Sequence, residues 1–108
     1  MITLSSYCII LSTCKDFKEA KKISLELLKK KLVACVNTIP IHSFYFWKDS
    51  IEKSKEQLLI IKTTWKLRHK VEKFIKKIHS YEIPEILTLK IGFGSKEYLN
   101  WVKKSVEK

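Results

Sequence analysis

ACVNTIPIHSFYFWKDSIEKSKEQLLIIKTT (residues 34–64) reads as two long β-strands joined by a polar turn at Lys48-Asp49-Ser50. The first half alternates with the two-residue period of a strand. Its odd positions carry Cys35, Ile39, Ile41, Tyr45 and Trp47, and its even positions carry Val36, Pro40, Phe44 and Phe46. Both faces are apolar, and the end nearest the turn is aromatic on both. A strand of about 13 residues exceeds the usual 3–10, and one small domain cannot cover both of its sides. The hairpin is therefore expected to project as an arm that a second copy of the chain completes.

The flanking segments supply the rest of an α+β domain. Tyr7–Thr13 is a short apolar run ended by polar residues, and reads as a first strand. Asp16 is placed to cap a helix, with Glu19 three residues on as in a capping box. Phe17, Ala20, Ile23, Leu27 and Leu28 form its expected apolar stripe, and Lys29–Lys31 end it where cations oppose the helix dipole. After the hairpin, Thr64 is expected to cap a helix over 65–78, with Leu67, Val71, Phe74, Ile75 and Ile78 inward. Tyr81–Pro84 is extended because the residue before proline avoids the helical region. Residues 85–92 form a fourth strand. Gly92-Phe93-Gly94 turns the chain, and Ser95 caps a last helix with Tyr98, Leu99, Val102 and Val106 inward. The order is the ferredoxin-like βαββαβ sandwich, with a long β2–β3 hairpin and an additional C-terminal helix. Helices are expected on one sheet face, and the other is expected bare, needing a partner.

At 108 residues, 45% of them hydrophobic, residues 1–108 fit one domain with a real core. No apolar run approaches the roughly 18 residues of a membrane span, and MITLSSYCII lacks the basic start of a signal peptide. Cys8, Cys14 and Cys35 are odd in number and widely spaced, which argues against a disulfide framework and for the reducing cytoplasm. The net charge of +11 raises the alternative of a basic binding module for RNA or an anionic protein surface. Against it, Arg68 is the sole arginine, and the lysines interleave with Glu on helix faces. Nucleic acid is accordingly disfavoured as a partner, and no membrane is expected.

The chemistry-bearing residues exclude several readings. The third strand lacks the paired aromatics of an RNA-recognition module. A single Cys14 follows strand one where copper chaperones of this plan carry CxxC, and no Walker or GxGxxG loop occurs. His42, His69 and His79 are far apart, with no zinc-finger spacing. Glu56, Lys62, Tyr81, Glu85 and Lys90, beside Trp47, Tyr98 and Trp101, have two readings. One is an interface salt bridge. The other is an inter-subunit cleft, lined also by His79, for a small anion or a metal. No nucleophile–base–orienter set is present.

Taken together, Ala34-Cys35-Val36-Asn37, Ser43-x-Tyr45-x-Trp47, Glu56, Ile61-Lys62-Thr63, His79-x-Tyr81-x-x-Pro84-Glu85 and Tyr98-Leu99-x-Trp101 resemble the CutA (divalent-cation tolerance) family, in register from about Tyr7 to Val106. The resemblance implies a ferredoxin-like subunit in a tight homotrimer, tolerance of divalent metals and copper especially, and no enzymatic reaction. It implies no required cofactor, with copper or another divalent cation as the compatible metal. The metal site proposed for some relatives maps onto Ser12, Ile78 and His79, of which His79 alone keeps its ligand type. Cys14, on the same strand face as Ser12, is the substitute thiol. The cleft implied between subunits comprises Trp47, Glu56, Lys62, Tyr81, Glu85, Tyr98 and Trp101.

Overall fold

Lys48 and Asp49 both take left-handed backbone angles, with φ of 50° and 66°. That pair closes a two-residue turn whose twist matches the flanking strands, and Trp47 faces Ser50 directly across it. The computed structural model describes residues 6–107. Its elements are β1 (Tyr7–Cys14), α1 (Phe17–Lys29), β2 (Cys35–Trp47), β3 (Ser50–Thr64), α2 (Arg68–Ile78), β4 (Ile86–Lys90) and α3 (Lys96–Val106). The sheet is wholly antiparallel in the order β2-β3-β1-β4, the ferredoxin-like arrangement. β1 pairs with β3 only as far as Cys14↔Gln57, whereas β2 and β3 continue together to the turn. The arm is thus a two-stranded ribbon that outruns its sheet, and the molecule extends 49 × 26 × 21 Å.

Register assigns the faces, since directly opposed residues share a side. Cys8, Ile10 and Cys14 of β1, with Leu59 and Ile61 of β3, turn to α1 and α2 and form the main core with Ala20, Ile23, Leu27, Val71 and Ile75. Each large aliphatic side chain so buried contributes about 1.5–3 kcal/mol. Thr63 Oγ1 donates to the Leu32 carbonyl at 2.7 Å and pins the α1–β2 connection inside this core.

Several expectations need correcting. The second sheet face is not bare throughout. α3 packs on one end of it, placing Leu99 and Val102 against Tyr7 and Ala34. The helix face is already filled by α1 and α2, so the α3 stripe finds apolar surface only on the opposite side. Away from α3 the face stays open, with Ile39, Leu87 and Leu89 about half exposed. In α1 the buried stripe is Ala20, Ile23 and Leu27, with Glu19 beside them. Phe17 stands 59% exposed at the first turn, and Leu28 lies past the edge of the stripe. Thr64 makes no side-chain cap, and a 3-10 turn over Trp65–Leu67 precedes α2. Tyr98 is exposed rather than inward, and β4 is shorter at both ends than the segment expected from sequence.

The caps of α1 and α3 form as expected. Asp16 Oδ1 accepts from the Glu19 amide at 2.8 Å, and Ser95 Oγ from the Tyr98 amide at 3.2 Å. α1 ends in a Schellman motif, in which Leu32 N–H donates to Leu27 O and Lys31 N–H to Leu28 O. Lys31 occupies its left-handed position at φ 55°, a place that normally favours glycine.

Candidate functional site: an acidic, aromatic cleft along the arm

The segment after α2 is held by side chains rather than by a ladder. His79 follows the helix in extended backbone. Its Nδ1 accepts the Tyr81 amide hydrogen at 3.0 Å, which leaves the ring proton on Nε2 to be donated to the Thr13 carbonyl at 2.8 Å. Glu19, 8% exposed, reaches the same segment from α1. Its carboxylate accepts from Ser80 N–H at 2.8 Å, Ser80 Oγ at 2.9 Å and Lys15 N–H at 3.4 Å. Burial alone would raise the Glu19 pKa. The hydrogen bonds from Ser80 and Lys15 outweigh it and hold the carboxyl below its ordinary range. An ionised group inside the fold therefore fastens residues 79–81 to α1 and β1.

Held this way, Tyr81 extends its hydroxyl to Glu56 on β3 and donates to Oε2 at 2.6 Å. Burial, then the bond to Glu56, raises the Tyr81 pKa, so the phenol remains a neutral donor. A cleft of about 630 Å³ opens between this segment and the arm, from Glu56 at the arm's root to Trp47 beside its turn, within the range of small-ligand sites. Trp47 and Tyr45 supply aromatic walls from β2, Glu56 lies on β3, and Tyr81, Glu82 and Glu85 come from the loop before β4.

Of the expected cleft residues, the fold gathers Trp47, Glu56, Tyr81 and Glu85 here. Lys62, Tyr98 and Trp101 lie elsewhere. Glu56 and Lys62 do share a strand face, but six residues of strand separate them by about 20 Å. Lys62 donates to Asn37 beside Cys35, while Tyr98 and Trp101 stack on α3 with centroids 5.5 Å apart. Lys90, also singled out, stacks over Trp65 at 4.7 Å. The expected site is two half-sites in one chain: an acidic, aromatic one at the arm and a basic, aromatic one beneath α3.

Ser12, Cys14 and His79 do not make a metal site as placed. Both His79 nitrogens are engaged, so neither offers a free lone pair. Cys14 is fully buried and donates to the Asp16 carbonyl at 3.5 Å. Burial, then the Glu19 charge, pushes its thiol up to about 11, so the thiolate a metal needs is disfavoured. The Ser12 hydroxyl is buried without a partner. Among the described residues, no three His, Cys, Asp or Glu side chains are grouped to hold a metal ion.

Three contributors escaped the sequence reading, among them Tyr45, which was legible only as part of the Ser43-x-Tyr45-x-Trp47 run. Glu19 was legible as a helix-start residue, but its reach to Ser80, 61 positions away, is a tertiary fact. Glu82 joins the cleft because the loop turns it there. Its signal was a second carboxylate inside Tyr81-x-x-Pro84-Glu85.

Comparison with known proteins agrees with this fold. The profile of a family described as CutA1 divalent ion tolerance protein matches residues 8–105. The divalent-cation tolerance protein CutA of Archaeoglobus fulgidus is 41% identical over 95 residues, spanning 88% of this chain and 93% of that protein. Mouse protein CutA is 41% identical over 96 residues, but the chain spans only 54% of its length. A solved structure of the A. fulgidus protein, described there as periplasmic, superposes with a TM-score of 0.92 at 40% identity, covering 94% of this chain and 99% of that one.

Proposed function

Because this chain belongs to the CutA1 divalent ion tolerance family, we propose that it serves divalent-cation tolerance, copper first, as a non-enzymatic homotrimer with ligand clefts between subunits. The observation that carries the assembly is the arm. It leaves its sheet with Phe44, Phe46 and Ile51 each at least 70% exposed, and an isolated two-stranded ribbon is marginal in water. The open face bearing Ile39, Leu87 and Leu89 gives such an arm a complementary surface on another copy. In a closed ring each subunit offers its acidic half-site and its basic half-site to different neighbours. Lys62, Tyr98 and Trp101 of one copy then stand opposite Trp47, Glu56, Tyr81 and Glu85 of the next.

Tolerance through a sensed cleft ligand fits these residues better than sequestration by Ser12, Cys14 and His79: the Cys14 and His79 donors are spent on the fold, and the Ser12 hydroxyl is buried. The cytoplasm is the compartment we propose, on the ground of three free thiols. The alternative of a basic module for RNA or an anionic surface finds no support in the similarities. Helical lysines such as Lys29 and Lys76 pair locally with Glu26 and Glu72. Sedimentation equilibrium tests the assembly: the expected mass is three times 12.8 kDa. A folded monomer at micromolar concentration would overturn the proposal. For tolerance itself, cells lacking the protein should regain growth in elevated copper when the chain is supplied.

A further inference from the structure

The net charge of +11 is concentrated in one layer of the fold. Residues 15–31 hold seven lysines against Asp16, Glu19 and Glu26, a net of +4, and residues 65–78 hold five lysines and Arg68 against Glu72, a net of +5. These 31 residues of 108 carry nine of the eleven net charges, whereas a compositional excess of lysine would be diluted over the whole surface. Two of the cations meet a carboxylate, Lys29 with Glu26 and Lys76 with Glu72; the rest make no salt bridge among the described residues. At about 100° per residue, Lys18, Lys22 and Leu25 stand opposite the buried Ala20, Ile23 and Leu27 of α1, and Lys70, Lys73 and Lys77 point away from the buried Val71 and Ile75 of α2. Lys30 Nζ of α1 lies 5.2 Å from the centre of the Phe74 ring of α2, so the two helices form one continuous layer. It covers the sheet face opposite the one bearing Ile39, Leu87 and Leu89, and a second copy packed on that open face leaves it in water.

We infer that the α1–α2 layer is a docking surface for the anionic lipid headgroups of a bilayer, with the outward lysines among the headgroups and the exposed leucines of α1 at the acyl boundary. The inference goes beyond the cleft and the assembly and needs neither. Two observations favour lipid over nucleic acid. The cations are lysines, compact point charges on long stems that follow mobile headgroups; the guanidinium fork that suits nucleic-acid recognition occurs once, at Arg68. Within the same cationic layer α1 leaves Phe17, Leu25 and Leu28 exposed at 59%, 44% and 39%. Such side chains gain little from a phosphate backbone, but they are buried at a bilayer surface when lysines surround them. Among the described residues no helix is long and apolar enough to cross a membrane, so the contact is one of a layer lying on the bilayer.

The test is flotation of the full chain with vesicles of phosphatidylglycerol in phosphatidylcholine, against vesicles of phosphatidylcholine alone. Binding to the anionic vesicles is expected at low salt, with its loss at about 1 M salt, where the Debye length is about 3 Å. Lys70→Gln, Lys73→Gln and Lys77→Gln together should weaken it at least about tenfold, since each lysine near an anionic membrane is worth about a factor of five. Lys96→Gln, Lys103→Gln and Lys104→Gln on α3 remove the same charge and should leave binding nearly unchanged. Leu25→Asn with Leu28→Asn keeps every charge and should weaken binding about fivefold. All these side chains are exposed, and a urea midpoint equal to the parent's validates each comparison. Failure of the parent to bind anionic vesicles at low salt overturns the inference. An equal loss from both lysine triplets does so too, because net charge alone would then explain it. Tighter binding of poly(U) RNA than of vesicles at matched phosphate, or undiminished vesicle binding by the leucine variant, also overturns it. Sedimentation of the same samples reports the assembly separately, so a trimer that ignores the vesicles refutes this inference alone.

Discussion

Glu19 lets the fold that shapes the cleft be tested by a single substitution. In Glu19→Ala, Ser80 loses the acceptor for both its N–H and its hydroxyl, and Lys15 N–H loses its acceptor as well. A hydrogen bond to a charged group contributes about 1.5–3 kcal/mol. The two short bonds from Ser80 would sum to about 3–6 kcal/mol at face value. The Ser80 side chain is exposed and can turn to water, and the 3.4 Å bond from Lys15 is weak, so about 3 kcal/mol is the expected loss. Glu19→Gln keeps one carbonyl oxygen for the Ser80 amide and should lose about half as much. The assay is urea unfolding at fixed protein concentration, since any assembly makes stability concentration-dependent. pH supplies a second readout. The folded-state pKa of Glu19 lies below its unfolded value of about 4.3. Its contribution is therefore complete above that value and disappears as pH falls through the lowered folded pKa. Between pH 7 and pH 3 the parent should lose more stability than Glu19→Gln, which has no carboxyl to protonate there. Equal midpoints for parent and Glu19→Ala, or parallel pH profiles for parent and Glu19→Gln, would refute the buried-anchor argument.

Two further outcomes follow from backbone geometry. Lys31 sits left-handed in the Schellman motif, where a side chain costs about 1–2 kcal/mol. After glycine's greater unfolded entropy is subtracted, Lys31→Gly should stabilise by about 0.5 kcal/mol, read as a higher urea midpoint at unchanged slope. At the arm tip, Asp49→Gly relieves the φ of 66° in the hairpin turn. It should raise the midpoint by a similar few tenths of a kcal/mol, without altering the sedimentation mass.

Local rules in the sequence were enough for the βαββαβ order, the long arm and the turn at Lys48-Asp49. Period-two alternation, the caps at Asp16 and Ser95, and the glycine pair before α3 each act over a few residues. They operate identically in an isolated stretch and in the folded chain. The same holds for the shared face of Glu56 and Lys62, which strand parity requires. What parity could not give was distance along the strand, and so the expected cleft came apart into two half-sites once β3 was laid out at full length. The side of the sheet that receives α3 depends on which face α1 and α2 have already filled, a matter of volume and not of pattern. The loop after α2 shows the limit most plainly. His79 carries a ligand's residue type, yet its two nitrogens are spent on Tyr81 and Thr13. That is settled only when β1, α1 and the loop meet, because the ring N–H is committed to a carbonyl 66 residues away, which leaves the lone pair on the nitrogen that the Tyr81 amide occupies.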